Sequence, residues 1–167
     1  MVNRNNAGQS AVREGPVGVL VVDDFKPFRV LVSSLLQNRS DLKIIAEGSD
    51  GLEAVQKAKE LHPDLILLDI GLPKLNGIAA ARQIREAAPN SKILFLSQET
   101  SPDVVQEAIA LGALGYVAKA KAGTDLLKAI EVVLLGKQFI GSGLGGSGTR
   151  DAGGETEKRR APPGEST

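Results

Sequence analysis

Short apolar runs alternate with longer amphipathic stretches through the middle of the chain. "VGVLVV" (Val17 to Val22), "KIIAEG" (Lys43 to Gly48), "DLILLD" (Asp64 to Asp69), "KILFLS" (Lys92 to Ser97) and "GYVAK" (Gly115 to Lys119) are too short for helices and read as buried strands. After each, apolar residues recur at helical spacing. Leu31, Leu35 and Leu36 share one face of the first stretch; Leu52, Val55, Ala58 and Lys59 mark the second; Ile78, Ala81 and Ile84 mark the third. The fourth carries Val104, Val105, Ala108, Ile109 and Leu111, and the fifth Leu126, Leu127, Ile130, Val133 and Leu134. Strand–helix units with short links predict a parallel sheet covered by helices on both faces.

Five such units are expected to form an α/β domain with a doubly wound, flavodoxin-like parallel sheet of order 2-1-3-4-5. The domain should span 17–140. Residues 1–16 read as a flexible N-terminal segment, and 141–167, "GSGLGGSGTRDAGGETEKRRAPPGEST", as a disordered Gly/Ser/charged tail that cannot offset its ordering entropy by burial. The run "EKRR" in that tail reads as a solvated patch.

Composition narrows the chemistry. Lys plus Arg and Asp plus Glu number 20 each, so no net field favours nucleic acid or an anionic membrane. With Cys 0 and His 1, thiol catalysis, disulfides and imidazole metal clusters are excluded. His62, in "ELHPD", reads as a helix end before Pro63. The first residues carry no apolar signal region and no segment is apolar for long enough to span a bilayer, so a soluble, cytoplasmic protein is expected.

In an open α/β sheet, ligands sit beyond the carboxyl ends of the strands at the switch point, here between the first and third. At those ends stand Asp23 and Asp24, Asp69, Ser97 and Lys119. Each has an ordinary reading: Asp24 as a helix cap, Asp69 as a turn residue before "GLPKLNG", Ser97 as a cap, Lys119 as a surface lysine. Their convergence on one edge argues against all of these together. Carboxylates about 5 Å apart repel by roughly 3 kcal/mol at an effective dielectric near 20, so such a cluster wants a cation. Hard oxygen ligands suit Mg²⁺, and a carboxylate can then attack phosphorus while an ammonium and a hydroxyl stabilise the phosphoryl oxygens.

From Val17 to about Ile140 the chain resembles the receiver domain of two-component response regulators. The matching motifs are "DD" after "VLVV", "LLDIGLPKLNG", "LFLS" and "GALGYVAK", in that order. The resemblance implies that Asp69 accepts a phosphoryl group from a histidine kinase or histidine phosphotransfer protein. It also implies Mg²⁺ on Asp23, Asp24, Asp69 and the Gly71 carbonyl, with Lys119 at the phosphoryl group and Ser97 and Tyr116 as a switch pair. On phosphorylation Ser97 should move, and the Tyr116 ring turn into the vacated space. Output is expected through the face of helix four, strand five and helix five, Pro102 to Leu135, contacting another protein or a second copy.

"GTDLLKAIEVVLLGKQFI" resembles receivers that precede a helix-turn-helix domain, but Gly/Ser-rich sequence follows here, so no direct DNA binding is inferred. Gln98 stands where the family often has a small residue and should overhang the site. Ala120 replaces a frequent proline, which disfavours a cis peptide after Lys119. Two other classes fit less well. A Mg-dependent aspartyl-phosphate phosphatase needs a second aspartate where Gly71 stands, and "DDFKPF" would place two negative charges against the phosphate of a flavin nucleotide. The chain is therefore read as no enzyme beyond its own phosphorylation and dephosphorylation.

Overall fold

The computed structural model describes residues 15–144. Its strands are β1 (Val17–Val22), β2 (Leu42–Gly48), β3 (Leu65–Leu68), β4 (Lys92–Ser97), β5 (Gly115–Ala118) and β6 (Phe139–Ile140). The helices are α1 (Lys26–Leu36), α2 (Gly51–Leu61), α3 (Gly77–Ala87), α4 (Pro102–Ala110) and α5 (Ala122–Leu134). The sheet runs β2-β1-β3-β4-β5-β6, and every neighbouring pair is parallel.

Alternation along the strands builds two apolar layers. Leu20, Val22, Ile66, Leu68, Ile93 and Phe95 face α2, α3 and α4, while Val19, Val21, Leu65, Leu67, Leu94 and Leu96 face α1 and α5. Alanines at Ala54, Ala58, Ala80 and Ala81, all 0% exposed, keep α2 and α3 close to the sheet. On the other face Leu126, Ile130 and Val133 anchor α5, each worth about 1.5–3 kcal/mol by burial. No helix among the described residues is long and apolar enough to cross a membrane.

The helix starts and stops have local causes. Asp50 accepts from the Glu53 amide at 2.8 Å while Glu53 accepts from the Ser49 amide at 2.6 Å, a reciprocal cap on α2. His62 closes that helix with φ 45°, its N–H donating to the Ala58 carbonyl. Asn76 caps α3 through the Ala79 amide at 3.0 Å.

Three readings of the sequence need correction. Leu31 and Leu52 were placed on buried helix faces, yet they are 42% and 54% exposed; the sheet-facing positions are Val32 and Leu36 on α1, and Ala54 and Ala58 on α2. Neighbouring aliphatics on one helix leave its inward face ambiguous, and the tertiary fit decides. The sheet has a sixth strand, β6, whose Phe139 N–H donates to the Leu114 carbonyl at 2.9 Å. Finally, Gly141–Leu144, assigned to the tail, are ordered against the domain: the Gly141 N–H donates to the Tyr116 carbonyl at 2.8 Å, and Leu144 is buried. The flexible readings of 1–14 and 145–167 lie outside the described residues. No peptide bond among the described residues is cis, the one after Lys119 included.

Candidate functional site

Backbone ladders set the acidic residues at the strand tips. The Asp23 N–H donates to the Gly48 carbonyl at 3.0 Å and the Asp69 N–H to the Val22 carbonyl at 3.1 Å. Asp23 and Asp69 are thereby buried, at 3% and 6% exposure, while Asp24 is exposed. One carboxylate oxygen from each of Asp23, Asp24 and Asp69 lies within 4.8 Å of the others.

The helix-cap reading of Asp24 does not hold. Phe25 is the residue that precedes α1, and no side chain caps that helix. Instead Asp23 Oδ1 accepts the Phe25 N–H at 2.9 Å, and the Asp23 carbonyl accepts Arg29 Nη1 at 2.6 Å. Arg29 is held in turn by Glu47 on β2, Nε to Oε1 at 2.8 Å. The acidic turn is therefore tied from both sides before any cation is considered.

Asp69 sits in a turn that two glycines make possible. The Gly77 N–H donates to the Ile70 carbonyl at 2.7 Å, and a Cβ at Gly77 would stand 2.0 Å from the Asp69 carbonyl oxygen. A Cβ at Gly51 would meet the Leu75 carbonyl oxygen at 1.8 Å. Neither approach admits a side chain, because real Cβ atoms do not come this close to backbone. The Ile70 amide donates to Asp69 Oδ1 at 2.7 Å, which fixes the rotation of the carboxylate.

Lys119, at the end of β5, reaches across to the acids. Its ammonium is 2.7 Å from Asp23 Oδ2 and 3.1 Å from Asp69 Oδ2, and it lies 4.7 Å above the Phe28 ring centroid. Burial alone would lower the Lys119 pKa, but the hydrogen bond that Lys119 donates to Asp23 and the charge of Asp69 outweigh it and hold the ammonium above the ordinary lysine range. Burial lifts the Asp23 pKa, and although the bonds from Lys119 and Phe25 oppose this, the carboxyl stays above the usual aspartate range.

Ser97 and Tyr116, expected as a switch pair, also come together near the site. Ser97 is 2% exposed and its Oγ accepts the Glu99 N–H at 3.1 Å. Tyr116 is 0% exposed; its ring packs on Phe95 at 5.9 Å between centroids, and its hydroxyl donates to the Glu99 carbonyl. Burial, reinforced by the charges of Glu99 and Asp69, pushes the Tyr116 pKa up to about 12. The ring is thus already buried in this structure. Gln98 is exposed and lines an open cavity of about 940 Å³ together with Asp24, Phe25, Asp69, Gly71 and Lys119. Sequence reasoning missed Arg29, Phe28 and Gly51, and read Gly77 only as a turn former; Arg29, six residues after Asp23 in the first turns of α1, was the one with a readable position.

Three aspartates, a serine and a lysine at the carboxyl ends of a doubly wound sheet are the arrangement of receiver domains in two-component signalling. The family described as the response regulator receiver domain matches residues 19–131, which hold every site residue above. The chain belongs to that family. It is 33% identical over 129 residues to the transcriptional regulatory protein DegU of Brevibacillus brevis, covering 77% of this chain and 55% of that protein. To the response regulator protein VraR of Staphylococcus saprophyticus it is 36% identical over 115 residues, covering 69% of this chain and 55% of the relative. The chain thus spans about half the length of the curated relatives it matches. Among solved structures, the receiver domain of the response regulator NarL from Mycobacterium tuberculosis superposes with a TM-score of 0.70 at 29% identity, over 74% of this chain and 100% of that one. The response regulator domain of Thermotoga maritima CheB gives 0.67 at 31%, over 72% and 97%.

Proposed function

We propose that Asp69 is the phospho-acceptor of this receiver. Its Oδ2 attacks phosphorus, forming an acyl phosphate as the bond to the donor's imidazole nitrogen breaks, and the imidazole leaves with a proton. The donor is a histidine kinase or histidine phosphotransfer protein. The observation that carries this reading is the environment of Asp69: Oδ1 is fixed by the Ile70 amide, and Oδ2 lies beside the Lys119 ammonium on the wall of an open cavity.

The donor set suits Mg²⁺, since all three groups are hard carboxylates and the ligand atoms lie within 4.8 Å of one another. Asp23, Asp24, Asp69 and the Gly71 carbonyl would hold the ion. Once bound, it supplies charge neutralisation for the phosphoryl oxygens. Lys119 then pairs with the phosphoryl group, and the Ser97 hydroxyl turns from the Glu99 amide to donate to a phosphoryl oxygen.

The chain acts once per phosphoryl group and turns over no other substrate. Gly71, standing where a phosphatase of this chemistry needs a second aspartate, supports that assignment. Output is through protein contact at α4, β5 and α5, residues 102–135, and no DNA contact is assigned to the receiver itself.

Incubation with a small phosphodonor and Mg²⁺ should label wild type stoichiometrically and Asp69→Asn not at all, because the amide is no nucleophile. Label persisting on Asp69→Asn, or wild type that takes no label, would overturn the reading.

A further inference from the structure

Leu144 is flanked by Gly143 and Gly145 in a Gly/Ser-rich stretch, yet it is 1% exposed. It lines a cleft of about 170 Å³ between α4, through Pro102, Val105 and Ile109, and the β6 side, through Gln138 and Ile140. The residues leading to it are fixed by directed bonds. The Gly141 N–H donates to the Tyr116 carbonyl at 2.8 Å, and both the N–H and the hydroxyl of Ser142 donate to Asp125 Oδ2 on α5, at 3.1 and 2.9 Å. A single short segment therefore joins β5, α5 and α4.

The two walls of the cleft answer to different parts of the molecule. The β6 wall is laddered to β5, with Tyr116 paired to Ile140. The α4 wall follows the loop after Ser97, whose shape depends on the Glu99 N–H bonding Ser97 Oγ and on the Glu99 carbonyl accepting from Tyr116. If Ser97 turns to a phosphoryl group, the Glu99 amide loses its acceptor and the loop that begins α4 must adjust. Leu144 is held against both walls at once, so displacement of one wall against the other loosens its seat.

We propose that Gly141–Leu144 is a plug, seated on the α4–β5–α5 face in the unphosphorylated protein and released by phosphorylation. The proposal rests on Asp69 being the phosphoryl acceptor. Release uncovers a cleft beside α4, lined by Val105, Ile109 and Ile140 together with Gln106 and Gln138, on the face proposed for output, so the chain competes with its own partner for that surface. Because coupling is reciprocal, loss of the plug must favour the phosphorylated state as much as phosphorylation disfavours the plug.

The test uses the full chain with Mg²⁺ and beryllofluoride, an acyl-phosphate analogue. Amide hydrogen exchange at Gly141 and Leu144 should quicken about fivefold or more on binding, and Leu144→Asp should tighten beryllofluoride binding by the same factor. Asp125→Ala, which removes the acceptor of both Ser142 bonds while leaving the Leu144 side chain in place, should shift the affinity in the same direction. If beryllofluoride binds wild type but leaves exchange at these amides unchanged, and both variants bind it as wild type does, the plug is overturned and the Asp69 reading stands. If beryllofluoride does not bind wild type, both fall.

Discussion

The Lys119 ammonium lies 3.1 Å from Asp69 Oδ2, the carboxylate oxygen left over once the Ile70 amide has taken Oδ1. The same ammonium holds Asp23 at 2.7 Å, so it supplies the positive charge that faces both buried acids. Lys119 thus compensates two buried carboxylates, a role that substitution can separate from the one proposed for it at the phosphoryl group.

Lys119→Ala leaves Asp23 and Asp69 facing each other without their cation. Repulsion at this separation is about 3 kcal/mol before screening and relaxation, so a stability loss of about 1–3 kcal/mol is expected without metal. Thermal unfolding should then show a larger Mg²⁺-dependent rise for the variant than for wild type, because the ion restores the missing charge. Equal rises would mean that Lys119 does not compensate the acids.

Tyr116 is the only tyrosine and the chain has no tryptophan, so ultraviolet absorbance titrates one phenol. Its pKa is raised from 10.0 to about 12. A raised folded-state pKa contributes stability below the unfolded value that is lost as pH climbs through the folded one, and Lys119, raised from 10.5, has the same sign. Phenolate should therefore appear near pH 12, together with loss of structure, and stability should fall above about pH 10. A phenolate midpoint near 10 in the folded protein would contradict the burial described.

Gln98 stands at the mouth of the cavity with no packing duty of its own, since its side chain is exposed. Reaching over an acyl phosphate, it should slow the approach of an attacking water. Gln98→Ala is expected to change the dephosphorylation rate by about twofold to tenfold, in proportion to a barrier difference of about 0.4–1.4 kcal/mol. Identical decay of the two phosphoproteins would remove Gln98 from the chemistry.

Gly77→Ala would place a methyl group where the Asp69 carbonyl oxygen already is. The turn must open, moving the acceptor relative to Asp23 and Asp24. We expect a stability loss of about 2–4 kcal/mol and a drop in both Mg²⁺ affinity and phosphorylation rate, whereas Gly71→Ala, with nothing near its Cβ, should be mild in stability. Wild-type behaviour of Gly77→Ala in urea unfolding and metal titration would count against this packing argument.

The five main strands were legible because each is a dense apolar run, and the site was legible because topology alone sends the ends of β1, β3, β4 and β5 to one edge. What escaped has physical reasons. Phe139–Ile140 is too short to have a period, and Leu144 lies among glycines that ordinarily signal loose chain. Leu31 beside Val32 leaves the inward face of α1 undecided until α5 and the sheet are in place. The position of the Tyr116 ring depends on its contacts with Phe95 and Glu99, which no local pattern encodes.

The sheet has two unlike rims, and this bears on how the protein avoids sticking to itself. At one rim β6 is only two residues long, too brief to template an added strand. At the other, β2 is seven residues long, but it alternates burial with exposed Lys43 and Glu47, and its register against β1 slips between Val19 and Leu20. Charges and an irregular ladder blunt that longer rim. Loss of β6 would expose β5, whose residues are all buried and which carries no charged side chain. A chain cut before Phe139 should therefore be prone to strand exchange and fibrous aggregation even where its fold survives.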